Sequence, residues 1–206
     1  MKEVALNILL YIHIVTGTSA LLTGAVALLA QKGNKIHRKA GLIFFYSMLG
    51  VALSAFTISV VKNIPFLLAI SVFSFYLNYS GYRALKNKAG TFTWYDWAVT
   101  VLSILTATYM IYTRTIVLLV FGILLCIVVF RNSLAQFQNE EKRKQARKKR
   151  LIAHLGNMTG TYIATVTAFL VVNVNFVKPG WLLWLLPTAV GLPFIFYQLK
   201  KHRPKV

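Results

Sequence analysis

Acidic residues are nearly absent from this chain. Glu3, Asp96, Glu140 and Glu141 are the whole set in 206 residues, and charged residues of both signs make up only 13%. A soluble globular domain carries about 25%, and the mean hydropathy here is +0.64, so there is too little polar surface to cover a water-soluble globule. All four acids fall at or beyond the ends of apolar runs. No carboxylate is therefore available in mid-membrane for a proton relay or an ion-coupled site. Cys126 is the single cysteine, which excludes an internal disulfide and leaves the redox compartment unread. The chain also lacks a zinc-protease motif, a phosphate-binding glycine loop and a recognisable Ser, His and acid trio. Its last apolar run has no internal lysine that could form a retinal Schiff base.

What is present is a series of long apolar runs. About 20 apolar residues cross a roughly 30 Å hydrocarbon core as a helix. The runs cover residues 5–30, 41–61, 64–82, 97–113, 115–130, 151–177 and 181–199. They are continuous rather than alternating, which fits helices and not a barrel. The expected fold class is an all-α transmembrane bundle of about seven helices in a single domain, 1–206. The runs 97–113 and 115–130 are short and separated by one charge, Arg114; they read as a tight hairpin, with one re-entrant element as the alternative. The first run is too long for a signal-peptide core and reads as an uncleaved helix.

The basic residues give a direction. Lys32, Lys35, Arg38 and Lys39 follow the first run, and Arg83, Lys86 and Lys88 follow the third. Arg131, Lys142–Lys144 and Arg147–Arg150 fill the polar loop 131–150, and Lys200, Lys201, Arg203 and Lys205 end the chain. That is nineteen cations on one side against Lys2, Lys62, Arg114 and Lys178 on the other. Positive residues stay in the cytoplasm, so the N-terminus is expected outside and the C-terminus inside. Trp94, Tyr95 and Trp97 on one side and Trp181 and Trp184 on the other suit the two interfaces. The expected location is a bacterial cytoplasmic (inner) membrane. The loop 131–150 reads as a solvated, topology-fixing stretch, or as a contact for anionic lipid headgroups at about 1 kcal/mol per basic residue. Nucleic acid is not an expected partner, because no basic-aromatic platform accompanies the charge.

Histidine supplies the candidate chemistry. His13 shares a helical face with Gly17, Ala20 and Gly24, and His154 shares one with Asn157, Thr161 and Thr165. Such stripes point into a bundle rather than into lipid. His37 and His154 fall on the same side of the membrane, and two histidines on facing helices can ligate a haem iron axially. The alternatives are an interfacial role for His37, an interhelical hydrogen bond for His154, and packing or a separate pocket for His13. Asn78 and Tyr79, with Tyr76 and Tyr82, form a further polar patch. Pro187 and Pro193 are expected to kink the last helix.

The stretch HIVTGTSALLTGAVALLAQKGNKIHRKAGLIFFYSM, His13–Met48, resembles the opening of a bacterial membrane family, domain of unknown function 2306, through His13, Gly17, Gly24, Lys32, Gly33, His37, Arg38 and Gly41. The stretch HLGNMTGTYIATVTAFLVVN, His154–Asn173, resembles the same family. The resemblance implies a multi-pass bacterial membrane protein and carries no activity with it. Three function classes remain. The first is a redox protein holding b-type haem or another cofactor. The second is a small-molecule transporter or channel lined by the polar stripes. The third is a structural or assembly subunit with a membrane-protein partner. An enzyme with a protein-borne nucleophile is the least supported.

The charge asymmetry yields a direct test. Tags placed at Lys88, Gln145 and the extreme C-terminus should be equally shielded from an impermeant reagent applied to intact cells. Labelling of any one of them breaks the topology.

Overall fold

A computed structural model of the chain describes residues 2–87, 91–137 and 147–201. Lys88, Glu140, Glu141, Lys142–Lys144, Gln145, Arg203 and Lys205, invoked above, lie outside these residues. Seven long helices account for nearly all of the described chain: α1 Lys2–Leu29, α2 Lys35–Val61, α3 Pro65–Lys86, α4 Trp94–Tyr112, α5 Ile116–Leu134, α6 Arg147–Asn173 and α7 Trp181–Lys201. α5 runs into a 3₁₀ turn, Ala135–Phe137. No strand occurs among the described residues.

The helices reach beyond the apolar runs, because their ends carry polar caps. Asn34 precedes α2, and its side chain accepts the His37 amide at 2.7 Å. That bond satisfies an amide that has no partner within the helix, so α2 starts at Lys35 rather than at Gly41. α6 starts at Arg147, inside the basic stretch, and ends at Asn173 rather than Val177. The link that follows contains Pro179, and proline cannot continue a helix. α7 runs through Pro187 and Pro193 without a break. α4 and α5 are two helices of 19 residues each, joined by a turn in which Arg114 takes φ 53°. The stretch is thus two helices joined by a turn, and of the two only α5 is long and apolar enough to cross a membrane by length and composition. Gly122 lets the pair approach closely: a Cβ there would lie 2.9 Å from Cβ of Met110.

Four helices, α1, α2, α5 and residues 150–173 of α6, are long and apolar enough to cross a membrane by length and composition. Large apolar side chains such as Val15, Leu22, Leu105, Ile127 and Val190 are exposed on the outside of the bundle. That suits contact with lipid tails. α3 is less apolar for a physical reason: it is the hub. It packs against α2, α4, α5 and α6, and Ser71, Ser74, Tyr76, Asn78 and Gly81 are among its buried residues. Ala69, Phe73, Tyr76 and Leu77 of α3 join Met110 of α4 and Phe121 and Leu125 of α5 in the main core. A smaller core holds Ala20, Phe44 and Met48, with Tyr162 against it.

The short connections put Lys62, Arg114 and Lys178 at one end of the bundle and the links after α1, α3 and α5 at the other, called here the basic end. At the basic end α3 and α4 are clamped by a single buried carboxylate. Asp96, 3% exposed, accepts Arg83 Nε and Nη2 at 2.8 Å each, the Thr93 amide at 2.8 Å and the Thr93 hydroxyl at 2.6 Å. The Tyr79 hydroxyl also donates to it. The Arg83 guanidinium lies 5.2 Å from the Tyr95 ring centroid. Burial opposes ionisation of Asp96. The hydrogen bonds from Arg83, Thr93 and Tyr79 outweigh it and hold the carboxyl well below the usual carboxylate range.

Removing one partner of a buried ion pair costs about 3–5 kcal/mol. Asp96→Asn should therefore lower stability by about 3 kcal/mol, read as loss of helical circular dichroism during SDS titration in mixed micelles. Because the folded carboxyl ionises more easily than the unfolded one, its contribution is complete above about pH 4. It is lost only as the pH falls further below that. A variant that tracks the parent at pH 7 would show that the clamp carries no stability.

Candidate functional site

The candidate histidines His37 and His154 occupy the basic end, and the backbone dictates how both are held. His37 stands in the first turn of α2, and its Nδ1 lies 2.9 Å from the Ala27 carbonyl in the last turn of α1. A carbonyl oxygen only accepts, so Nδ1 must carry the proton. In the neutral ring the lone pair then sits on Nε2. The same logic applies to His154 of α6, whose Nδ1 lies 2.9 Å from the Gly81 carbonyl of α3. The approach is possible because residue 81 has no side chain: a Cβ there would lie 2.7 Å from Met158 Sδ and 3.2 Å from its backbone nitrogen.

Lys32 completes the group. Its Nζ donates to the Leu28 carbonyl at 2.8 Å and the Ala27 carbonyl at 3.2 Å. Lys32 and His37 thus share the Ala27 oxygen and close the C-terminus of α1 together, where cations are favoured. Both also interact electrostatically with His154. Two imidazoles and an ammonium therefore gather where α1, α2 and α6 meet at the basic end. Among the described residues no three His, Cys, Asp or Glu side chains converge as metal ligands. Two imidazoles are, however, a donor set that haem ligation can use.

One turn along α6 from His154, Asn157 is 2% exposed. Its Nδ2 donates to Ser80 Oγ at 3.0 Å, and its Oδ1 accepts Arg131 Nη2 of α5 at 3.1 Å. Asn132, next to Arg131, donates to the Tyr76 hydroxyl at 3.2 Å. Asn78, 1% exposed, donates to the Phe45 carbonyl of α2 at 3.0 Å. Thr161, fully buried, donates to the Asn157 carbonyl of its own helix, and Thr165 reaches Met48 Sδ at 3.1 Å. Tyr79 belongs to the Asp96 clamp. Most of these bonds join α2, α3, α5 and α6, while Asn78 Oδ1 is buried without a partner.

His13 is placed apart. Its Nδ1 meets Ser54 Oγ of α2 at 3.0 Å. Ser54 Oγ lies 2.7 Å from the Gly50 carbonyl, to which it donates, and so can accept from the ring. His13 is fourteen residues from Ala27 along α1, about 21 Å at 1.5 Å per residue, so it does not meet His37 or His154. Ser19 and Ser47 add a second α1–α2 bond at 2.9 Å.

Sequence reasoning did not single out Lys32, Ser80, Arg131 or Asn132 as neighbours of the candidates. Arg131 figured only as a topology marker, and Lys32 as a topology marker and as part of the family resemblance. The partners of Ser80, Arg131 and Asn132 lie on other helices, at separations no local pattern encodes. The one available signal was that Arg131 and Asn132 close the apolar run of α5.

No curated protein and no solved structure matches the chain. The family described as predicted membrane protein (DUF2306) matches residues 10–124, more than half of the chain, and the matched region includes His13 and His37 but stops short of His154. The chain belongs to this family of multi-pass membrane proteins.

Proposed function

We propose that the protein is a membrane redox component that holds a cofactor, b-type haem, between His37 and His154 at its basic end, with that end in the cytoplasm. One observation carries the reading: each of the two rings gives its Nδ1 proton to a backbone carbonyl of a neighbouring helix. Metal-ligating histidines are held in this way, which fixes the tautomer and raises the basicity of the other nitrogen. The donor chemistry fits an axial pair. Lys32, 2.8 Å from the end of α1, supplies a cation for the carboxylates that haem carries. Haem bound there would supply one-electron transfer. The chain's own residues would orient the imidazoles, balance the ligand's charge and screen it with the apolar faces of α1, α2 and α6.

The cytoplasmic placement of that end rests on its excess of lysine and arginine. Those side chains also suit anionic lipid headgroups of the same leaflet. A transporter reading draws less support, because Asn157 and Ser80 spend their side-chain polar atoms on neighbouring helices and Asn78 Nδ2 bonds the Phe45 carbonyl, although Asn78 Oδ1 is buried without a partner. His13 serves the pairing of α1 with α2 in this proposal.

Protein purified from haem-supplemented cells should show a Soret band. His37→Ala and His154→Ala should each abolish it while eluting as folded protein, and His13→Ala should keep it. A colourless parent protein from haem-replete cells ends the haem reading. Retention of the band in both single variants would move the ligands elsewhere.

A further inference from the structure

The end opposite the histidine pair contains an open cavity of about 860 Å³, lined where the first turns of α3, α5 and α7 meet the link between α6 and α7. Ligand pockets run to about 300–1,000 Å³ and are mostly apolar with a few polar groups. Its floor is apolar, with Val117 and Leu183 each 6% exposed. Its wall is aromatic: Phe66 and Trp184 meet edge to face with centroids 4.9 Å apart. Its rim is polar, formed by Asn175 and Lys178 of the link and by Trp181. No carboxylate balances Lys178 among the described residues, where the only ion pair is Arg83 with Asp96 at the other end.

We propose that this cavity is a binding site for an anionic phospholipid. One acyl chain lies against Phe66, Val117 and Trp184, and the phosphate meets Lys178. Three features fix the ligand class together. The apolar volume is too large to be a packing defect. The opening lies at the depth where Trp181 and Trp184 mark a membrane interface. The only ionised side chain on the lining is a cation. A soluble anion would leave the apolar floor and aromatic wall in contact with water, and a neutral lipid would leave the ammonium without its partner. The site is independent of the histidine pair, and neither proposal needs the other.

Trp181 and Trp184 report on the cavity directly once the tryptophans of the other end are removed. The protein carrying Trp94→Phe and Trp97→Phe is reconstituted in vesicles that contain rising fractions of phospholipid with brominated acyl chains, which quench tryptophan on contact. In one series the brominated lipid is phosphatidylglycerol in a phosphatidylcholine background, and in the other the roles are exchanged. Quenching should reach half-saturation at about fivefold lower mole fraction for the brominated anionic lipid, the scale of one basic residue at a charged surface. Lys178→Gln should remove that preference. Val174→Phe, which narrows the cavity without touching Lys178, should reduce quenching by both lipids. Equal titration curves for the two lipids, a preference that survives Lys178→Gln, or undiminished quenching in Val174→Phe would each show ordinary boundary lipid and overturn the proposal.

Discussion

The demand that polar groups inside a bilayer find partners within the protein shapes this bundle more than any other constraint. α3 meets it in the most concentrated form. Ser80, Gly81 and Asn78 of this one helix bond to α6 and α2, Tyr76 bonds to α5, and Tyr79 and Arg83 bond to α4. Within the hydrocarbon water is not available to take over a lost partner, so the contacts there fix the register and rotation of a neighbouring helix. Apolar packing could be satisfied by many rotations. The hydrogen bonds select one.

The lipid-facing helices could be read from the sequence because their cause is local. A run of apolar residues as long as a bilayer is thick is visible without knowing its neighbours, and this gave all seven helices. Their ends were less legible. The runs mark where the hydrocarbon begins, whereas α2 and α4 begin where Asn34 and Thr93 can satisfy the first amides. The hub helix was legible only in part. Its serines, asparagine and tyrosines lower its apolar character and reveal that it is interior, but the identity of their partners is a property of the packed state.

The candidate site divides in the same way. Helical spacing on α6 put His154, Asn157, Thr161 and Thr165 on one face, and that face does meet other helices. The alternation of basic loops put His37 and His154 at one end. Neither pattern contained the Ala27 and Gly81 carbonyls that hold the rings, since backbone oxygens leave no mark on a sequence. Gly81 was the nearest thing to a sign, being the position where a side chain would have blocked α6.

The Asp96 clamp has a consequence for the face on which it lies. Asp96 is the only acid of the basic end within the described residues, and Arg83 already neutralises it. Lys32, Lys35, Arg38 and Lys39 at this end form no ion pair with a carboxylate among those residues. The net positive charge of this face draws mobile counter-ions and phosphates from outside the polypeptide, over a distance that physiological salt limits to about 8 Å. Ionic strength can therefore loosen whatever this face attracts while leaving the embedding of the helices untouched.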